Sequence, residues 1–401
     1  MPIALYMLAL SVFVMGTSEF MLAGLLPAIA SDLGVTVGSA GTLTSAFAVG
    51  MVVGAPTMAA FARRFPPRLT LIVCLAVFAS CHIVGAITTT FSILLATRFI
   101  SAFANAGFLA VALSTAITLV PENRKGRALS ILLAGTTTAT IAGVPAGALL
   151  GNALGWRATF WGIGVLSIPA AVGIFRGVRS RPAETATNSS AAPDLATELC
   201  QLRSRHLLLA MTLGALVNGG TFAAFTFLAL LVTDSAGLAD DWIPIALVVF
   251  GAGSFFGVTL AGRLSDQRPG LLLAAGGPLL LAGWVTLALY GSQPVLLIPL
   301  VFLQGLLAFG VGSTLITRVL YAAADAPTMG GSYATASLNI GAAAGPVLGG
   351  LGLTTDVGTT APVWVAATLT GITLVVMLLS RRTLTETRTA GQRGDTPAPS
   401  R

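Results

Sequence analysis

The stretch Leu8–Ala28, LALSVFVMGTSEFMLAGLLPA, is apolar enough to cross a bilayer, yet Glu19 sits near its middle. A charged side chain at that depth costs about 3 kcal/mol on insertion scales, and more on an isolated helix. A carboxyl group there is cheap when neutral and costly when charged, so it is suited to carry a proton. The alternative is a structural acid paired with an arginine elsewhere in a bundle. In both cases Glu19 has to face an interior between helices rather than lipid.

The rest of the chain is built the same way. It is 55% hydrophobic and 9% charged, with a mean hydropathy of +0.90. Soluble domains carry about 25% charged residues, so this is a polytopic membrane protein. A net charge of +7 and a pI near 10.1 would point to nucleic acid in a soluble protein. Here the placement of the charges, given below, points instead to the membrane and to no nucleic-acid partner. Cys74 and Cys81 share one apolar stretch and Cys200 lies in a polar loop, so there is no metal-ligand spacing and no disulfide framework. The N-terminus, MPIALYMLAL, lacks the basic region of a cleavable signal and reads as the start of the first span.

Windows of about 20 apolar residues, each long enough to cross as a helix, fall at 4–29, 39–62, 69–90, 92–119, 127–152 and 158–178. They continue at 207–233, 242–263, 270–291, 294–320, 328–352 and 360–380, which makes twelve. Only Ala153–Arg157 separates spans five and six, and only Ser292–Gln293 separates nine and ten. Alternating spans place Arg63, Arg64, Arg68, Arg124, Lys125, Arg127, Arg176, Arg263, Arg268 and Arg318 on one side, with the C-terminal arginines. The opposite loops carry Asp32, Asp234, Asp240, Asp241 and Asp356, and Arg157 alone is on the wrong side. The positive-inside rule then puts both termini and the central loop in the cytoplasm, with the chain in the plasma membrane. Residues 1–178 read as one six-helix bundle, 179–206 as a cytoplasmic linker, 207–381 as a second bundle and 382–401 as a disordered tail. Within the linker, Asp194 is placed to cap a short helix with Leu195, Leu199 and Leu202 on one apolar face.

Small residues recur every fourth position in four spans. Span five has Gly135, Ala139, Gly143, Gly147 and Gly151, and span two has Gly38, Thr42, Ala46, Gly50 and Gly54. Span eight has Gly253, Gly257 and Ala261, and span eleven has Gly341, Gly345 and Gly349. Such edges let helix backbones approach closely in lipid. Spans two and five correspond to eight and eleven across the halves, which suggests a sliding seam between the two bundles.

Gly341-x-x-x-Gly345-Pro346-x-x-Gly349-Gly350 resembles the GxxxGPxxGG antiporter motif of the major facilitator superfamily, and Gly143-Val144-Pro145 in span five is a looser copy. Arg98 in span four, followed by Ala102, Asn105 and Gly107, resembles the arginine motif of its twelve-span drug:proton antiporter branch. The loop after span two departs from that family's pattern, with Arg63 where an acid is usual, whereas Gly262-Arg263-Leu264-Ser265-Asp266 after span eight keeps the acid. Longer strings, among them GTSEFMLAGLLPAIASDLGV and SYATASLNIGAAAGPVLGG, are similar to actinobacterial chloramphenicol-resistance exporters.

The resemblance implies an all-α fold of twelve transmembrane helices in two pseudo-symmetric six-helix bundles, with spans one, four, seven and ten around a central cavity. It implies that Glu19 binds the proton and Arg98 tunes it. The substrate would be a chloramphenicol-like small molecule, exported by a monomer driven by the proton gradient, with no cofactor or metal. Phe13, Phe20, Asn105, Asn218, Phe222, Phe225, Gln304 and Asn339 are then candidates for the drug pocket, and helix–helix packing is the competing role for each. Asp266, Gly143, Pro145, Gly341, Gly345, Pro346 and Gly349 are candidates for gating and packing. Exporters of sugars or other metabolites share this architecture and remain the alternative. The chain has a single lysine and no GxxxxGK[ST] loop, which argues against an ATP-driven pump. His82 and His206 are its only histidines, and Gly16-Thr17-Ser18-Glu19 is no nucleophile elbow, which argues against an enzyme.

Overall fold

A computed structural model describes residues 1–61, 65–178, 195–267, 269–326 and 329–380. Every regular element among them is helical. Among the described residues, eleven stretches are long and apolar enough to cross a membrane. Spans one to six are Ile3–Phe20 with its extension to Gly24, Val37–Phe61, Pro67–Ile87, Phe91–Thr118, Lys125–Leu154 and Trp156–Gly177. Spans seven to ten are Arg205–Thr226, Trp242–Gln267, Pro269–Tyr290 and Pro294–Ala322, and span twelve is Ala361–Leu379. Span eleven, Gly330–Gly352, has the length but fills its middle with glycine, serine and alanine in place of large apolar side chains. The narrow divisions are real turns. Gly155, at φ +83°, reverses the chain between spans five and six, and a turn at Gly291–Ser292 separates nine and ten.

Spans one and seven both stop being α-helical part-way along. The first passes into a 3-10 turn at Met21–Gly24 before a short helix, Leu26–Leu33. The second breaks at Phe227 and continues through Leu228–Leu230 into a π turn, Leu231–Ser235. Span five carries a π turn at Ala139–Gly143, just before Pro145. Proline cannot donate to the helical ladder and crowds the preceding turn, which accounts for a widened turn there.

Spans two and eleven, and five and eight, meet at the expected seam between the bundles, but most of their glycine edges face partners within a bundle. Gly135, Gly143 and Gly151 of span five lie against Ala9, Thr17 and Leu25 of span one and its extension. Gly50 and Gly54 of span two lie against Phe99 and Phe103 of span four. In the second bundle, Gly253 and Gly257 face Phe302 and Leu306 of span ten, while Gly341 and Gly345 face Ala215 and Gly219 of span seven. These edges bind each bundle internally, because a backbone-to-backbone approach in lipid favours a permanent contact. Between the bundles, span two meets span eleven and span five meets span eight. A methyl group on Gly38 would stand 2.9 Å from the Gly350 carbonyl oxygen, and one on Gly251 would stand 2.6 Å from that of Thr140. At the opposite end of that span two–span eleven contact, Ser332 Oγ donates to the Ala55 carbonyl at 3.3 Å.

Arg157, the basic residue on the wrong side, braces the first bundle. It pairs with Asp32, donates to the Thr88 carbonyl at 3.0 Å and lies 4.4 Å over the Trp156 ring. Trp156 Nε1 donates to the same carboxylate at 3.1 Å. The linker helix forms at Leu195–Cys200, with the reverse of its expected polarity. Leu199 and Leu202 are exposed, while Glu198 is buried and its carboxylate accepts the Met329 N–H at 2.8 Å. An acid is favoured there because Met329 caps the N-terminus of span eleven. Arg63, Asp194 and the tail from 382 lie outside the described residues.

Two outcomes follow. Gly345→Val places a side chain against the Gly219 backbone, which cannot yield, and lowers the thermal unfolding midpoint in detergent by the equivalent of about 1–3 kcal/mol. The Arg157 hydrogen bond holds the Asp32 carboxyl below the usual carboxylate range, with Trp156 adding to it. Its contribution is therefore present above about pH 4 and lost as pH falls through the lowered value. The stability difference between wild type and Asp32→Asn should hold constant from neutral to mildly acidic pH and close only in strong acid.

Candidate functional site

Span one ends its α-helix at Phe20, so the carbonyls of its last turn need partners from elsewhere. Arg98 of span four supplies one. Its Nη2 donates to the Ser18 carbonyl at 2.9 Å and its Nη1 to Ser18 Oγ at 2.8 Å. The guanidinium also lies 4.5 Å over the Phe47 ring of span two. Ser18 Oγ is 2.7 Å from His82 Nε2, and His82 Nδ1 is 2.7 Å from the Phe78 carbonyl, both on span three. Arg98 is 1% exposed, so these dipoles and the ring face stand in for the water that a cation loses on burial.

Glu19, the next residue along, is half-buried. Among the described residues its carboxylate has no hydrogen bond and makes no ion pair with Arg98, although the two charges interact. Both terminal nitrogens of Arg98 are thus given to Ser18, its Nε is unpartnered among the described residues, and it acts on Glu19 through space. A carboxyl group left without fixed partners can change its proton occupancy without a structural bond having to break.

One residue further, Phe20 reaches the second bundle. Its ring centre is 5.8 Å from Phe222 and 6.1 Å from Phe225, both on span seven. Phe225 stacks on Phe250 of span eight at 4.7 Å, and Phe250 meets Phe309 of span ten edge-on at 6.0 Å. Phe20, Phe225, Phe250 and Phe309 line a cavity with Thr140, Val144, Leu247, Gly251 and Ser254. It holds about 240 Å³ of non-atom space between spans of both bundles. No charged side chain lines it. The hydroxyls of Thr140 and Ser254 donate to carbonyls of their own helices, leaving oxygen lone pairs for a ligand's donor. Such walls suit an uncharged, partly aromatic molecule.

A family model of the Major Facilitator Superfamily matches residues 8–337. The chain belongs to that superfamily. It is a multi-pass membrane transporter of a small molecule, not an enzyme. It is 59% identical over 386 residues to a chloramphenicol resistance protein of Streptomyces lividans, covering 96% of this chain and 98% of that one. It is 29% identical to the inner membrane transport protein YdhP of Escherichia coli K12, covering 95% and 96%. A bacterial homologue of the human lysosomal transporter Spinster, solved inward-facing and occupied, superposes with a TM-score of 0.72 at 16% identity, covering 93% and 94%. That likeness concerns the fold.

Of the residues singled out in the facilitator's sequence, Glu19 and Arg98 come together, and so do Phe20, Phe222 and Phe225. The others go elsewhere. Phe13 lies against Gly143 of span five. Asn218 donates to the Leu338 carbonyl at 2.7 Å, joining spans seven and eleven, and Asn339 donates to Thr335 of its own helix at 2.9 Å. Gln304 is buried against Gly283 of span nine, its amide unpartnered among the described residues, and does not line the cavity. Asn105 is buried on span four, also away from it. Gly349 packs on Phe227, Pro346 is buried inside span eleven, and the side chain of Asp266 lies outside the described part. The sequence reading missed Thr140, Phe250, Ser254 and Phe309. The run of small residues Gly251–Ser254, which contains Gly253 of the span-eight edge, was the one local signal near them. His82 was missed as well, since nothing in its local sequence ties it to Ser18.

Proposed function

We propose that the protein exports chloramphenicol, an uncharged aromatic antibiotic, across the plasma membrane in exchange for protons. The observation that carries this reading is a carboxylate without hydrogen-bond partners, Glu19, set between a sealed arginine and an uncharged aromatic cavity. The high identity to a chloramphenicol resistance protein supports the substrate. The arginines gathered at the end bearing the termini support cytoplasmic termini, and the protein acts as a monomer.

In this reading Glu19 takes a proton when the cavity faces outward and gives it up when the cavity faces the cytoplasm. Water around the carboxyl favours the charged form, and enclosure favours the neutral one. Drug entering beside Phe20 changes the enclosure of the neighbouring residue, and so couples the two occupants. Exchange of one proton for a neutral drug moves one charge, which gains about 2.3 kcal/mol per 100 mV of membrane potential. The room between these side chains is far too small for a drug-sized molecule, so loading requires the bundles to part.

Addition of chloramphenicol to solubilised wild type should release protons, and Glu19→Gln should abolish that release while still reaching the membrane. Full drug efflux by Glu19→Gln would end the carrier reading. Phe250→Ala removes the stacked partner of Phe225 and should weaken chloramphenicol binding about five- to tenfold. Unchanged affinity would place the drug elsewhere.

A further inference from the structure

The hydrogen bonds behind Arg98 have only one consistent direction. The Phe78 carbonyl can only accept, so the proton of the His82 ring is on Nδ1. Arg98 can only donate, so Ser18 Oγ accepts from Nη1. The single hydroxyl proton of Ser18 is then left for His82 Nε2, which accepts it at 2.7 Å. The chain therefore runs Arg98 to Ser18 to His82 to Phe78, ending on a backbone carbonyl. A ring protonated on both nitrogens would strand the hydroxyl proton and add a second buried cation beside Arg98.

His82 is also immobile. It is 1% exposed, and its ring lies 4.3 Å from that of Phe78 and 5.7 Å from that of Phe160. Both phenylalanines belong to the buried core of the first bundle. The histidine is therefore a fixed post on span three, to which the last helical turn of span one is tied through Ser18. That turn carries Glu19, and the 3-10 break follows at once.

We propose that His82, acting through Ser18, positions Arg98 and so keeps it from pairing directly with Glu19. His82 is a positioning residue for proton coupling, and the proposal rests on the reading of Glu19 as the proton carrier. The titratable groups within reach of the Arg98 charge are Glu19, His82 and Cys81. Of these only Glu19 is an acid without a hydrogen bond. If the Ser18 hydroxyl tie is cut, Nη1 loses its acceptor and turns to the one carboxylate nearby, while Nη2 keeps the Ser18 carbonyl. Glu19 then stays charged before the drug arrives and has no proton to release.

The test uses the full-length protein in detergent, with chloramphenicol as the probe and two readouts, drug affinity and protons released per drug bound. At neutral pH, Ser18→Ala and His82→Leu should release about fivefold fewer protons, the scale of one lost hydrogen bond to a charged group, with affinity within about twofold of wild type. Release should return when the buffer is acidified. Ser18→Thr keeps the hydroxyl, and His82→Gln keeps one acceptor and one donor, so both should stay close to wild type. Wild-type release by Ser18→Ala and His82→Leu, with Glu19→Gln silent, overturns the positioning role and leaves the carrier reading standing. Parallel loss of affinity, release and thermal stability reduces the trio to a brace and also overturns it. Undiminished release by Glu19→Gln removes the carrier reading itself. Where His82→Leu is not recovered from membranes, Ser18→Ala against Ser18→Thr decides, since it alters one buried atom.

Discussion

A guanidinium sealed between helices has no water to solvate it, and in this bundle no carboxylate reaches it either. Arg98 is held by a carbonyl, a hydroxyl and the face of a phenyl ring. Such an arrangement is costly to form and costlier to half-remove, because each lost partner leaves a buried charge uncompensated. It also decides what Glu19 is. Had Arg98 been satisfied by the carboxylate, the pair would be a structural ion pair with little reason to take up a proton. Because Ser18 takes both of its terminal nitrogens, its charge biases Glu19 without consuming it. Distinct roles for two adjacent residues of one helical turn come from their pointing to different neighbours, Ser18 towards span three and Phe20 towards span seven.

The packing of the two bundles has the same logic of permanent and temporary contacts. Glycine edges that bury carbonyl against backbone are used inside each bundle: two on four, five on one, eight on ten, eleven on seven. Contacts across the bundles are of other kinds. They include the Gly38–Gly350 crossing in the packing of spans two and eleven, Gly251 against span five, the Phe20 ring against Phe222 and Phe225, and single hydrogen bonds such as Ser332 to Ala55. Contacts of this second sort separate without exposing long runs of unpaired backbone. An alternating transporter needs stiff units and a weak division between them, and the glycines are allotted accordingly.

Much of this was legible in the chain itself. Apolar length marks a span wherever it occurs, so all twelve could be counted, and one-sided arginines test the count independently. Glu19 and Arg98 stood out because polar residues at membrane depth are rare. Three of the aromatic residues were found through their place on spans one and seven. Partner choice was not legible. A small-xxx-small edge says that some helix comes close, and leaves open which one, so the four spans at the seam could be named while most of their glycines turned out to face partners within a bundle. An asparagine amide looks the same whether it faces a cavity or a neighbour's carbonyl, and Asn218 and Asn339 turned out to serve backbone carbonyls. Ser18 and His82 are 64 residues apart, and Phe250 and Phe309 sit in uniformly apolar spans, so neither pair has a local signature.

The breaks in spans one and seven bind these observations together. A helix that loses its regular ladder can bend there at little further cost, because its carbonyls already have other partners. In span one the break begins immediately after Glu19 and Phe20, and in span seven immediately after Phe222 and Phe225. Phe20 and Phe225, two of the aromatic walls of the cavity, and Glu19, which carries the charge, therefore sit beside the breaks of the two pseudo-equivalent helices. The fixed post at His82 lies on the bundle side of the first joint. Opening a cavity of about 240 Å³ to admit a larger molecule would then bend the chain beyond Phe20 while leaving Arg98 where it is. Glu19 stays on the tied turn beside Arg98 while the chain after Phe20 moves, so drug occupancy can change how the carboxylate is enclosed without moving the cation that biases it.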